Sequence, residues 1–272
     1  MRCRDTYPGI RRGDRSVVDG LPGCALPVTR SAPRLYVAPD AQALADRYAE
    51  RFEILPGEPY PQDHPDFALW AVDDHLELRR AGDRRGVWMR PAELDRRAVG
   101  STGLARACGL RPGLTERGGM RVLDAMAGWG LDGLVLASLG CSVVMVEQHP
   151  LLHALLEDFA RRVDLPRVAV QSGDGYEFFS GAAGYGVVYL DPMFPVRRKR
   201  ALPGKPMQFL ADLGVASTRS VENWLDAALP CATGRVVIKR RLHDPVIGAP
   251  DWQIRGRVVR YDVYRGNSSG AA

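Results

Sequence analysis

The sequence predicts an α/β protein: a mostly parallel sheet flanked by helices, preceded by a small α+β lobe. Three observations carry this. From Met120 onward, the apolar runs "RVLDA", "SVVMVE", "VAVQ", "GVVYLD" and "RVVIK" alternate with helical stretches near residues 131–139, 151–162, 207–213 and 221–229. That order builds a parallel sheet covered on both faces. The runs are apolar almost throughout instead of alternating, as strands buried on two sides are. Acidic residues stand at or just past their ends, at Asp124, Glu147, Asp174 and Asp191, the edge where such sheets bind ligands.

Residues 1–33 are rich in Arg, Gly and Pro without periodicity and read as a flexible extension. Residues 34–108 read as the small lobe. There "RLYVA" is a strand, and "DAQALADRYAERF" spaces Ala41, Leu44, Ala45, Tyr48 and Phe52 as one helix over 40–52. "HLELRR" and "GVWMR" predict a hairpin. Residues 109–272 form the main domain, ending in two extended pieces within "IRGRVVRYDVYR".

With 46% hydrophobic residues the 272-residue chain can bury a substantial core. Its 37 Lys+Arg against 32 Asp+Glu leave a net charge of +5, so a polyanion-binding surface must come from clustering of charge. The five cysteines are scattered without C-x-x-C spacing, which argues against a disulfide framework and a zinc site. The five histidines show no metal-ligand grouping, and no metal is expected. No apolar run approaches a membrane span and no signal-peptide segment is seen, so the expected location is the cytoplasm.

"GWGLDG", residues 128–133, matches G-x-G-x-x-G after a strand, with Glu147 at about the distance of a ribose-gripping acid. Alone this points to a nicotinamide-dependent oxidoreductase. In dinucleotide folds, however, the strand runs almost directly into the first glycine so that a helix N-terminus caps the pyrophosphate. Here Asp124-Ala125-Met126-Ala127 intervenes, and a strand-end carboxylate suits a cationic ligand better than a phosphate. S-adenosylmethionine, with a sulfonium, an ammonium and a ribose diol, meets these constraints. On that reading Asp124 and the backbone of Gly128 and Gly130 hold the methionine end, and Glu147 accepts from the ribose. Gly173 and Asp174 lie beside the adenine. Trp129 fits either packing under the loop or bordering the ligand.

"YLDPMFPVRRKR", residues 189–200, passes from buried strand to Asp191, two prolines, Phe194 and four cations. Pro192 and Pro195 stiffen the backbone. The Asp191 carboxylate and the Pro192 carbonyl are placed to accept N–H bonds from the weakly nucleophilic exocyclic amine of a nucleobase, with Phe194 stacking on the base. Arg197, Arg198, Lys199 and Arg200, with Lys205 and with Lys239, Arg240 and Arg241, predict one positive rim for RNA phosphates. A charge run is usually a solvated face; its place beside a base pocket favours RNA.

These segments, "VLDAMAGWGLDGLVLASLGCSVVMVEQHP", "VVYLDPMFPVRRKRAL" and "RVVIKRR" followed by "RYDVY", resemble the RsmJ family over roughly residues 120–264. The resemblance implies a Rossmann-like class I methyltransferase fold. It also implies S-adenosylmethionine as cofactor and methylation of the N2 amine of a guanine in 16S ribosomal RNA, free or in the small ribosomal subunit. It places cofactor contacts on Leu131, Asp132, Glu147, Gln148, Gly173, Asp174 and Asp191. The chain departs from the family pattern where Leu131 and Gln148 replace arginines and Gly173-Asp174 replaces Ser-Ser. The competing expectations are an amino-methyltransferase for another base or a protein amide, the oxidoreductase above, and an inactive RNA-binding module.

Overall fold

The computed structural model describes residues 32–57, 66–99, 102–110, 119–179, 184–192, 204–213 and 218–266. The small sheet holds β1 (Arg34–Val37), β2 (Glu53–Pro56), β3 (Phe67–Val72) and β4 (His75–Arg80), with the short helix α1 (Gln42–Ala45) between β1 and β2. Two helices follow, α2 (Pro91–Val99) and α3 (Thr102–Ala107). The main unit then alternates: β5 (Arg121–Asp124), α4 (Leu131–Ser138), β6 (Ser142–Glu147), α5 (Pro150–Val163), β7 (Val168–Ser172), β8 (Tyr185–Leu190), α6 (Lys205–Asp212), α7 (Val221–Ala228), β9 (Ala232–Arg241), β10 (Trp252–Arg255) and β11 (Val259–Arg265).

The large sheet runs β10-β11-β9-β8-β5-β6-β7. Strands β5 to β9 are mutually parallel, and β11 is antiparallel to both β9 and β10. From β5 the chain builds outward through β6 and β7, then returns to β8 on the other side of β5. The crevice beyond the C-terminal ends of β5 and β8 is therefore the topological switch point, where ligands bind in open α/β sheets.

Local sequence explains the elements nearest that crevice. Gly130 occupies the N-cap of α4 with φ 74°, a left-handed conformation open to glycine at no steric cost. Helix α5 starts on Pro150, and its Leu152, Leu155, Leu156 and Phe159 make one buried stripe. It stops at Asp164, with φ 45° and Arg161 and Arg162 in its last turn, where cations favour the negative end of the helix.

Two expectations for the lobe need correction. The helix expected over 40–52 is four residues of α1 followed by a 3-10 turn at Asp46–Tyr48. The Tyr48 carbonyl accepts from the N–H groups of both Arg51 and Phe52 and turns the chain into β2. All five expected apolar side chains are buried nonetheless, so the spacing reported burial and not helix length. The principal hairpin partner of β4 is β3, over six residue pairs, and "GVWMR" pairs with β4 at one position alone. The two-residue turn Asp73-Asp74, with Asp73 at φ 51°, suits the strand twist and closes less chain than residues 81–85 would. Val87 makes one bridge to Leu78.

The two sheets share one core. Leu35, Leu69 and Leu78 of the small sheet pack in the same cluster as Leu134 of α4, Phe159 of α5, and Val187 and Val237 of the large sheet. A second cluster, including Leu123, Val188, Trp224 and Ile238, fills the other face. Polar anchors reinforce the junction. The Asp158 carboxylate on α5, fully buried, accepts from Leu76 N–H at 3.1 Å, Arg161 Nη2 at 2.7 Å and Arg162 Nε at 2.9 Å. Arg162 also donates to the Met89 carbonyl at 2.8 Å. On α6, Asp212 pairs with Arg80 and Lys205 with Asp83.

Asp158→Ala leaves Arg162 buried without its carboxylate and the Leu76 N–H without its acceptor. It is expected to lower unfolding free energy by about 3–5 kcal/mol, measured by urea denaturation; a loss below about 1 kcal/mol would show that Asp158 does not anchor the junction.

Candidate active site

A cleft of about 450 Å³ opens at the switch point, within the size range of small-molecule sites. It is lined by the C-terminal ends of β5, β6, β8 and β9, the loop into α4, Arg97 of α2, Met207 and Leu210 of α6, Trp224 of α7 and Val259 of β11. Asp124, Gly128, Gly130, Leu131, Asp132, Glu147, Gln148, Gly173, Asp174, Asp191 and Pro192 all line it. Parallel strands carry their terminal residues to one edge, so acids spaced far apart in sequence converge there.

The glycine loop differs in detail from expectation. Gly128 N–H donates to Glu147 Oε2 at 3.0 Å, and Gly130 N–H donates to the Ala127 carbonyl at 2.7 Å. Neither amide is left for the methionine end of a ligand. At Gly128, with φ 53°, the direction a Cβ would take meets no atom within 4 Å; a side chain there would project into open space. Glu147 is fixed on both oxygens, Oε1 accepting from His149 N–H at 2.7 Å. Burial pushes its carboxyl upward, opposed by the backbone N–H groups of His149, Gly128 and Gln148.

Beneath the loop lies a chain of charges. Lys239 Nζ donates to Asp132 Oδ2 and to Asp191 Oδ2, both at 2.7 Å. Asp132 also accepts from the Tyr189 hydroxyl at 2.7 Å and from Arg97 Nη2 at 2.8 Å. Burial alone would raise the Asp132 carboxyl, but Lys239 and Arg97 outweigh it and hold it below the ordinary range. Asp191 moves the other way: enclosure within the cleft, with the like charge of Asp132, lifts it despite Lys239, although part of its side chain still reaches solvent. Asp124, buried beside both carboxylates, is raised well above its ordinary value by burial and by their charge.

Several assignments change. Asp132, expected as a cofactor contact, lines the cleft while its carboxylate is engaged by three protein donors, Lys239, Tyr189 and Arg97. Lys239, expected on the RNA rim, is a largely enclosed counter-ion with 15% of its side chain exposed. Arg240 is only 7% exposed and donates through Nη2 to the Pro245 carbonyl. Strand alternation explains the pair: Lys239 shares a face with Val237 in the first core, Arg240 the opposite face. Lys205, half exposed, is held by Asp83 at 3.1 Å. Phe194, Arg197, Arg198, Lys199 and Arg200 lie outside the described residues. Trp129 both borders the cleft and donates through Nε1 to the Pro206 carbonyl at 3.2 Å, tying the loop to α6.

Arg97 and Arg219 were not singled out from sequence, and Tyr189 was read only as part of the buried strand. Arg97 comes from α2, signalled only by Pro91 in its first turn and Glu93 just after. Arg219, just before α7, pairs with Asp174 and lies over the Tyr176 ring at 4.4 Å. The cleft thus collects five carboxylates, Asp124, Asp132, Glu147, Asp174 and Asp191, against three cations, Arg97, Lys239 and Arg219. A net acidic cleft with an open glycine cradle fits the sulfonium and ammonium of S-adenosylmethionine and disfavours a pyrophosphate. Among the described residues no cluster of His, Cys, Asp or Glu could hold a metal ion, and no helix is long and apolar enough to cross a membrane.

The family model described as "Putative SAM-dependent methyltransferase" matches residues 49–266. Ribosomal RNA small subunit methyltransferase J of Pseudomonas savastanoi pv. phaseolicola is 38% identical over 243 residues, 82% of this chain and 87% of that protein. The protein of that name from Alkalilimnicola ehrlichii is 37% identical over 256 residues, covering 84% and 93%. Among solved structures, a SAM-dependent methyltransferase from Neisseria gonorrhoeae superposes with a TM-score of 0.64 at 26% identity, covering 88% of this chain and 97% of that one. A Rossmann-like fold, a net acidic cleft at its switch point and these likenesses agree, and the chain belongs to the ribosomal RNA small subunit methyltransferase J family of SAM-dependent methyltransferases.

Proposed function

We propose that this protein methylates the exocyclic N2 amine of a guanine in small-subunit ribosomal RNA, in the cytoplasm, using S-adenosylmethionine. The observation that carries this is Asp191: one oxygen is held by Lys239 while its side chain remains 32% exposed at a net acidic cleft. An acceptor fixed on one side and open on the other suits an incoming N–H donor.

When bound, S-adenosylmethionine supplies a methyl group made electrophilic by its sulfonium. The ionised carboxylates of the cleft provide negative charge, and Asp124 with the loop at Gly128 and Gly130 provides acceptors and space for the methionine end. Glu147, already oriented by two backbone N–H groups, accepts from the ribose hydroxyls, and Gly173, Asp174 and Gln148 border the base. Asp191, with the Pro192 carbonyl, accepts the N–H bonds of the guanine amine and concentrates electron density on nitrogen. Asp191 then takes the proton that the nitrogen must lose. Lys239 keeps that carboxylate ionised and aimed. Phe194 stacking on the base, and Arg197, Arg198, Lys199 and Arg200 on phosphates, complete the reading from the sequence pattern.

Incubation with methyl-labelled cofactor and under-modified small subunits or their RNA, followed by nucleoside analysis, is expected to yield N2-methylguanosine. Label on adenine, cytosine or a protein amide would replace the substrate assignment. Asp191→Ala should lower kcat about 10²–10⁴-fold with RNA affinity kept; parental activity would remove its assigned role.

Asp191 must be ionised to accept, so activity falls as pH drops through its raised pKa. Lys239→Met deletes the opposing charge and raises that pKa further. The acid limb of kcat should therefore move to higher pH, and an unmoved limb would show that Lys239 does not act on Asp191.

A further inference from the structure

The β10–β11 turn, Gly256-Arg257-Val258 together with Arg255 at the end of β10, stands on the rim of the cleft. Strand β9 runs parallel to β8, so its C-terminal end lies at the cleft edge; β11 is antiparallel and begins there, with Val259 opposite Arg241. Val259 itself lines the cleft. The turn therefore projects from the β9 side of the opening.

Its side chains differ from an ordinary solvated turn in three ways. All four residues are exposed, and from Trp252 to Tyr261 the sequence "WQIRGRVVRY" contains no acid. Asp262, the next acid, is fully buried on Arg260 and Gln253. Among the described residues the Arg255 guanidinium donates only to a neutral group, Gln253 Oε1, at 3.2 Å, and no ion pair engages Arg257. Val258 is 76% exposed and Met207, which lines the cleft, 50%; no other large apolar side chain among the described residues reaches half exposure. The backbone is also held still. Gly256 N–H donates to the Val259 carbonyl at 2.8 Å, and Leu242 N–H donates to the Val258 carbonyl at 3.1 Å.

We propose that this turn is an RNA-contacting element, Arg255 and Arg257 binding phosphates that flank the target nucleotide and Val258 packing against the unstacked ribose or base beside it. The inference rests on the proposed RNA substrate. Two guanidiniums without acidic partners on a pinned backbone bind phosphate with little ordering cost. An exposed valine next in sequence to the cleft-lining Val259 offers apolar contact to a nucleotide drawn out of its stack.

The test uses the full chain as Arg255→Gln combined with Arg257→Gln, with binding to small-subunit ribosomal RNA measured across a salt series and adenosylmethionine affinity measured alongside. The expected result is weaker RNA binding, a plot of log affinity against log salt shallower by about 1 for each arginine, and unchanged cofactor affinity. Equal affinity and slope for variant and parent would overturn this inference alone. Loss of cofactor affinity would also overturn it, since the turn would then be supporting the cleft. A parent that binds no RNA at low salt would overturn both the inference and the reading beneath it.

Discussion

The Lys239 ammonium lies 2.7 Å from both Asp132 and Asp191, and that double contact joins elements far apart in the chain. Asp132 opens α4, Asp191 follows β8, Lys239 belongs to β9, and Arg97 reaches Asp132 from α2. Such clusters are weak evidence for net stability, because desolvating the ions offsets much of their attraction. Their geometric consequence is firmer. Asp132 is saturated by three donors, whereas Asp191 keeps an open side, so one carboxylate anchors and the other remains available to a ligand.

That division gives the cleft its electrostatic character. Five carboxylates face three cations, and the buried Asp124 is pushed upward by its acidic neighbours. A positively charged ligand relieves this imbalance, whereas a pyrophosphate would worsen it. The same G-x-G-x-x-G spelling is therefore compatible with two cofactors, and the surrounding charge discriminates between them.

The small lobe is part of this arrangement and not an appendage. Its sheet shares a core with α4 and α5, its β4 backbone is held by Asp158, and α2 between the two sheets delivers Arg97. Displacing α2 would take one of the two cations from Asp132 and leave Lys239 more strongly committed to it. The lobe thus bears on how Asp191 is held, although it contributes no acid to the cleft.

Much of this was legible along the chain. The apolar runs placed five strands and four helices of the main unit close to where they lie, because strands buried on two faces must be apolar throughout. The acids Asp124, Glu147, Asp174 and Asp191 were found because parallel strands bring their ends to one edge. The lobe read less well: the β3–β4 turn depends on a left-handed Asp73, and the spacing from Ala41 to Phe52 recorded burial without dictating a continuous helix. What the sequence by itself determined was the sheet, the edge and the acidic residues on it. Only the tertiary structure decided which charges are neutralised, that Lys239 faces inward while adjacent Arg240 faces the other way, that Arg97 crosses from another helix, and that the β10–β11 turn stands at the opening. The reason is physical: periodicity and propensity are properties of a local stretch, whereas burial of a charge and the identity of its partner depend on residues brought together only by the fold.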